Sequence, residues 1–498
     1  MKKKQGNYGD FSQNDQAKAP KNSAEEAIII VAIIAVATVI LGLVAASIFT
    51  TQQMYIIRPL LAAGAVFIIF SYFLRLQVRA NLFGEIGFIY LALALAYTVF
   101  PAIKFLMIDF NFPLDFDGLN FAVLLPQPAE LGTHFWRHVL FISGVAVGFL
   151  AVRGGPLPLR PFNEKSACRY GRIIAIMIAI MGCCVCALTL LSASVTTYIE
   201  HYIRFDNLSW PLRRFASLCL IFKSGGYFVL LALMFSQYRK YKMLIFIVVP
   251  VVCAFEIVYS LGSRIVAFTI LLAFFGFYHF RVTPISLKKG IVFLIALAFI
   301  FSGIGIIRAA NYRLENALHE VIKDKKIQAS EFEAVYCTGF HLYVERAQGT
   351  LPPRDWKMFF YEFTAVIPFI DHAKHNPQYW YAWNYFPEAV VPPTTMGAIA
   401  DSAIWGGEFD LLVRSLINGA IFALLTRWFL RRRKKWWALT IYIYCYATCI
   451  LALKYSVLFQ LTLLVRVLLP TLLLTEVLFR LQKTPAFLKK TCTTEPVA

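Results

Sequence analysis

Ala27–Ile48, AIIIVAIIAVATVILGLVAASI, carries no charged residue along its whole length. At about 1.5 Å of rise per residue, a helix of that length crosses a hydrocarbon core of roughly 30 Å. The tail before it, residues 1–23, opens Met1-Lys2-Lys3-Lys4 and is polar throughout. It is longer than the charged head of a signal peptide, so the helix is expected to be retained and the tail to be disordered and cytoplasmic. The same kind of run recurs near residues 54–74, 82–107, 135–152, 173–191, 215–235, 243–259, 265–280, 291–307, 411–429, 436–453 and 456–479. With 59% hydrophobic and only 15% charged residues and a mean hydropathy of +0.65, the chain is too apolar for a water-exposed surface. The expected fold is all-α: a polytopic membrane helix bundle of about 12 transmembrane helices.

The net charge of +20 is distributed in a way that orients this bundle. Arg75 and Arg79, the group from Arg153 to Arg172, Arg239 to Lys242, Arg281 to Lys289, Arg427 to Lys435 and Arg480 to Lys490 all fall on the side of the N-terminus. The opposite loop from Asp109 to Glu130 has four acids and neither Lys nor Arg. The bias places both termini in the cytoplasm. It makes anionic membrane lipids, and not nucleic acid, the partners of the positive charge. The expected organisation is a tail (1–23), a bundle of about nine spans (24–307), an extracytoplasmic region (308–408), three further spans (409–480) and a second tail (481–498).

The ten cysteines show no paired spacing for zinc, and only Cys337 lies in the extracytoplasmic region, so no disulfide is expected there. No Walker loop or calcium loop is present. No metal or cofactor is therefore expected.

Residues 308–408 are the long interval that is not apolar enough to stay in a bilayer, and chemistry is expected there. Leu314, Leu318, Val321 and Ile322 recur at helical spacing, as do Phe332, Val335, Tyr336, Phe340 and Tyr343, and again Trp356, Phe359, Phe360 and Phe363. The region is read as largely helical until Pro368. From Asp371 to Pro393, with Tyr379, Trp380, Tyr381 and Trp383 between prolines, the pattern reads as an extended, turn-rich loop. Its aromatic rings suit either the apolar faces of sugars or the membrane interface. His341 and Glu345, four residues apart, share a helix face with Arg346 alongside. They form either a surface salt link or an acid–base pair able to take the proton of a sugar hydroxyl. Arg264, Arg308 and Arg313 are either headgroup anchors or ligands of a diphosphate. Asp401, at the entrance to a late span, is a further candidate acid or base.

Three features together resemble the O-antigen polymerase family, the Wzy-type polymerases of oligosaccharide repeat units. They are Gly84-Glu85-Ile86-Gly87-Phe88-Ile89-Tyr90 leading to Ala96-Tyr97-Thr98-Val99-Phe100-Pro101, the turn Gly262-Ser263-Arg264, and the passage from Pro392-Pro393-Thr394-Thr395 through Gly397 to Trp405-Gly406-Gly407. The resemblance implies a metal-independent glycosyltransferase of GT-C type in the bacterial inner membrane. Its donor and acceptor would be undecaprenyl-diphosphate-linked glycans, and a chain-length regulator is a conceivable partner. It implies diphosphate binding by Arg264, Arg308, Arg313 and Arg346, sugar binding by Tyr379, Trp380 and Trp383, and a catalytic base among His341, Glu345 and Asp401. The chain departs from the family in lacking the arginine-to-glycine spacing of some members and in carrying Ala398 where an acidic residue is frequent. A lipid-linked glycan ligase and a lipid-linked sugar transporter are the alternatives.

Overall fold

The computed structural model describes residues 23–78, 82–107, 115–116, 119–120, 128–155, 180–181, 208–259, 265–286, 288–293, 296, 331–364, 375–387, 396–432 and 435–477. Ten helices of the expected bundle fall within them. They are α1 (Ser23–Ile48), α2 (Thr51–Val78), α3 (Ile86–Met107), α4 (Pro128–Arg153), α5 (Trp210–Ser236), α6 (Tyr238–Tyr259), α7 (Ile265–Arg281), α12 (Glu408–Arg432), the broken pair α13 (Trp436–Ala447) and α14 (Cys449–Lys454), and α15, which begins at Val457–Leu463 and continues through a π-helical turn at Leu464–Leu468. Between α7 and α12 the described residues include the shorter helices α8 (Glu331–Gln348), α9 (Lys357–Thr364), α10 (Pro377–Tyr385) and α11 (Ala398–Ile404). The strand content of the described residues is one hairpin of two-residue strands, Asp115–Phe116 against Leu119–Asn120.

Seven helices of the described residues are long and apolar enough to cross a membrane: α1 to α5, α12 and the helix over Val457–Val477. The all-α membrane bundle is thereby established. The expected spans near 173–191 and 291–307 fall largely outside the described residues, while every other one coincides with a helix. The run 436–453, read as a single span, breaks at Thr448, where α13 ends and α14 begins.

Lipid tails are as apolar as leucine, so helices in a membrane associate through close backbone approach more than through exclusion of water. The contact of α4 with α12 shows this. Gly144 and Gly148 on α4 face Ser415 and Gly419 on α12, each pair four residues apart. A Cβ on Gly148 would strike the carbonyl oxygen of Leu416, and one on Gly419 the carbonyl of Val145. α4 also packs along α2, where Phe149 sits edge-on to Phe70 at 5.9 Å between centroids. By contrast α1 packs on α2 and leaves Ile28, Ile33, Val36, Leu43 and Ile48 on its outside.

Charges inside the bundle are matched. Arg153, at the end of α4, donates from Nε and Nη2 to the two carboxylate oxygens of Glu85, both at 2.8 Å, and is 1% exposed. The segment around Glu85 is held further by Tyr442 of α13. Its hydroxyl donates to the Gly84 carbonyl (2.8 Å) and accepts from the Ile86 N–H (3.1 Å). Lys223 of α5 lies 2.8 Å from Glu256 of α6, which also accepts from the Tyr227 hydroxyl at 2.7 Å.

Candidate functional site

α8 sits across α3, α4 and α11 and presents Tyr336, Cys337, Phe340, Leu342 and Tyr343 to them, all buried. The helical spacing of these residues is what forms and seats the helix. Its packing is close at Gly339, where a Cβ would stand 3.2 Å from Cε1 of His134 on α4. Three polar ties complete the seat. The Tyr343 and Ser402 hydroxyls share a hydrogen bond of 2.9 Å, Arg137 of α4 stacks on the Tyr343 ring at 3.8 Å, and Arg137 Nε donates to Glu408 at 2.8 Å. Burial pushes the Tyr343 phenol up to about 12, so its hydroxyl is neutral in this role.

On the adjoining face of α8 the candidate acid–base pair is assembled. His341 is 8% exposed, which removes the surface salt link as its description. Its Nδ1 lies 2.7 Å from the Tyr381 hydroxyl, and its Nε2 is 3.5 Å from Glu345 Oε1. The other Glu345 oxygen accepts from Thr350 Oγ1 at 2.6 Å. The Tyr385 ring closes the cluster edge-on to the imidazole, 4.6 Å between centroids. Burial lowers the His341 pKa, with the Glu345 carboxylate opposing it, so the imidazole is held toward its neutral form. Burial likewise raises Tyr381, whose phenol keeps its proton. A neutral imidazole fixed at one nitrogen by a phenol, with a carboxylate at the other, is equipped to accept a proton and to stabilise the imidazolium that results.

The stretch that supplies Tyr381 corrects the expectation of an extended loop. Pro377–Tyr385 is a helix because Asn376 caps it, accepting from the Gln378 N–H at 2.9 Å, and because Pro377 occupies its first turn. The two prolines and the aromatics were legible, but this cap-then-proline start outweighs them. The helix then divides the aromatic residues by function. Trp380 turns inward, 7% exposed, and donates from Nε1 to the Pro353 carbonyl at 3.0 Å. Tyr379 and Trp383, one turn apart, form an outward ring pair at 5.7 Å, with Trp383 53% exposed.

Arg346 points away from the imidazole. Its Nη1 donates to the carbonyls of Ala403 (3.0 Å) and Trp405 (3.2 Å), which the end of α11 leaves without helical partners. The guanidinium lies against Gly407, which holds φ +65° in the turn into α12. Asp401, on α11 and 4% exposed, has Oδ2 3.8 Å from Arg414 Nη1; Arg414 Nε donates to Asp410 at 2.7 Å. Arg264, Arg308 and Arg313 lie outside the described residues.

Tyr381, Tyr385, Thr350, Arg137 and Arg414 complete these clusters; Tyr381 belongs to the aromatic run of the sequence, but nothing in that run marks it as a partner of His341. The Asp410–Arg414 pair has a readable signal in its four-residue helical spacing. Tyr381 has none, because its partner is 40 residues away and only the packing of α10 on α8 joins them. Among the described residues, no three His, Cys, Asp or Glu side chains are grouped to hold a metal ion. Compared with known proteins, the chain matches no family model, no curated protein and no solved structure.

Proposed function

We propose that the chain is an integral-membrane glycosyltransferase that joins lipid-linked oligosaccharide repeat units into a longer surface glycan. The single observation that carries the reading is the buried Tyr381–His341–Glu345 cluster, seated on a bundle of membrane helices but belonging to none of them. In the proposed reaction the oxygen of an acceptor hydroxyl attacks the anomeric carbon of the donor. The bond from that carbon to the lipid diphosphate breaks, and the diphosphate leaves with the electron pair. The hydroxyl proton passes to His341 Nε2. That role requires the tautomer in which Nδ1–H donates to the Tyr381 oxygen, and Glu345 then stabilises the imidazolium. Asp401 is the other candidate base. Arg264, Arg308 and Arg313 are proposed to meet the charge of the diphosphate. Arg346, with Nη1 bound to the 403–405 carbonyls, would contribute through Nε and Nη2. The charge bias of the loops favours the extracytoplasmic face for this chemistry, and the bacterial cytoplasmic membrane is what the resemblance to the polymerase family implies.

A lipid-linked sugar transporter is the second reading, favoured by the Lys223–Glu256 pair buried between two bundle helices, because ionisable residues at such positions frequently line transport pathways. The surface glycan of a deletion strain separates the readings in a host that makes lipopolysaccharide. Loss of a polymerase leaves lipid core carrying a single repeat unit. Core with no unit at all would point to a ligase or transporter and would overturn the proposal.

A further inference from the structure

Between α9, α10, α11 and the start of α15 lies an open cleft with about 40 Å³ of enclosed space, below the roughly 300–1,000 Å³ of sites that engulf a small molecule, so it can grip one edge of a ligand. Four separate stretches of chain make its wall: Tyr361 from α9, Gln378 from α10, Asp401 from α11, and Tyr455, Ser456 and Phe459 from the junction of α14 and α15. We infer that this cleft grips the edge of a single uncharged sugar ring and is the acceptor subsite of the proposed transferase.

The composition of the wall narrows the ligand. It contains neither Lys nor Arg, so it offers no counter-charge for a phosphate, and its one carboxylate is too few for a structural cation. What it offers are aromatic faces alternating with neutral hydrogen-bonding groups, the combination that suits a ring apolar on its C–H face and polar at its rim. Tyr455 and Phe459 form a tilted ring pair at 4.4 Å, and the Tyr361 ring also lines the cleft. The Gln378 side-chain nitrogen is buried with no hydrogen-bond partner, an arrangement whose cost a ligand oxygen would remove. Ser456 Oγ accepts from the Phe459 N–H at 3.0 Å, which leaves its own hydrogen to donate. The Asp401 carboxylate supplies acceptors for sugar hydroxyls.

The backbone is built to hold these groups together. A Cβ on Gly397 would strike the carbonyl oxygen of Leu453, so glycine there lets α11 approach the end of α14 and brings Asp401 beside Tyr455. The break at Tyr455 and the Ser456 cap, which start α15, turn both rings toward the same space.

Identifying the ring as an acceptor rests on the glycosyl-transfer reading; the preference for a neutral saccharide does not. The test is saturation-transfer NMR on the full-length protein in detergent with methyl glycosides of glucose, galactose, mannose and N-acetylglucosamine. At least one glycoside is expected to receive saturation. Its affinity should fall about five-fold in Gln378→Ala, the loss expected for one hydrogen bond of about 1 kcal/mol, and further in Phe459→Ala, while Trp210→Ala, at an exposed position of α5, leaves it unchanged. Thermal unfolding of each variant checks that the fold is kept, and Ser456→Ala serves where Phe459→Ala unfolds. No saturation of any glycoside overturns the inference, as does binding that Gln378→Ala spares and Trp383→Ala removes. Glycoside binding in the cleft, together with a deletion strain that makes full-length glycan, would keep the subsite and remove only its role in polymerisation.

Discussion

Two acid–base pairs in this molecule use the same kinds of groups to opposite ends. Glu85 and Arg153 meet through two parallel hydrogen bonds of 2.8 Å, near the end of a bundle helix. His341 Nε2 and Glu345 Oε1 lie 3.5 Å apart, in a helix that lies on the bundle. The first pair satisfies both carboxylate oxygens with one planar guanidinium, a geometry that fixes the start of α3 against the end of α4 and leaves little to exchange. The second holds an imidazole whose pKa burial lowers, with a phenol on its far side. The difference teaches that burial of charge alone does not mark a site. Glu85–Arg153 and Lys223–Glu256 are as buried as His341, but of these three pairs it is His341–Glu345 that joins an imidazole, able to accept and release a proton, to a carboxylate.

Breaking the Glu85–Arg153 pair should have the largest effect. Glu85→Ala leaves a buried guanidinium without its partner, and a loss of about 3–5 kcal/mol is expected, read as a collapse of thermal stability and yield in detergent. The double replacement Glu85→Gln with Arg153→Met should recover much of it, since a neutral pair removes the stranded charge. Next comes the packing of α4 on α12. Gly148→Leu pushes α4 away from the Leu416 carbonyl and is expected to cost about 1–3 kcal/mol, measured by the same unfolding assay.

A smaller loss is expected at the second pair. Tyr381→Phe removes the phenol from His341 Nδ1 and should destabilise by about 1 kcal/mol, while lowering glycan extension far more than that figure implies. This split between stability and activity is what would distinguish it from Glu85–Arg153. Acidification sharpens the contrast further. His341 in the folded protein binds its proton less readily than in the unfolded chain. The unfolded state therefore holds more protons below the ordinary histidine value of about 6.5, and stability is lost as pH falls through it. In the His341→Gln variant the slope of unfolding temperature against pH between about 7 and 5 should be shallower than in the wild type; an unchanged slope would show that His341 does not contribute. Least affected is Trp383→Ala, whose side chain is half exposed; it should shift stability by no more than about 0.5 kcal/mol.

Much of the bundle was legible because its signal is a run of apolar residues whose length matches the membrane, a one-dimensional property. Ala27–Ile48 and Leu411–Phe429 are plain examples. The seat of α8 was partly legible, since Tyr336, Phe340 and Tyr343 mark a face but not what covers it. The pairings were not. Arg153 reads as one of several basic residues in a positive loop, whereas in the fold it is buried on Glu85. Tyr381 reads as an interfacial aromatic, and Asn376-Pro377 reads as a turn when it is the cap of a helix. Each depends on a partner distant in sequence, and neither composition nor period specifies which distant segment arrives.

The most direct measurement is complementation of the deletion strain with His341→Gln, with protein level in the membrane matched to wild type and the surface glycan resolved by length. The account predicts core carrying one repeat unit and no ladder, with the ladder restored by wild type. A full-length ladder from His341→Gln would contradict it.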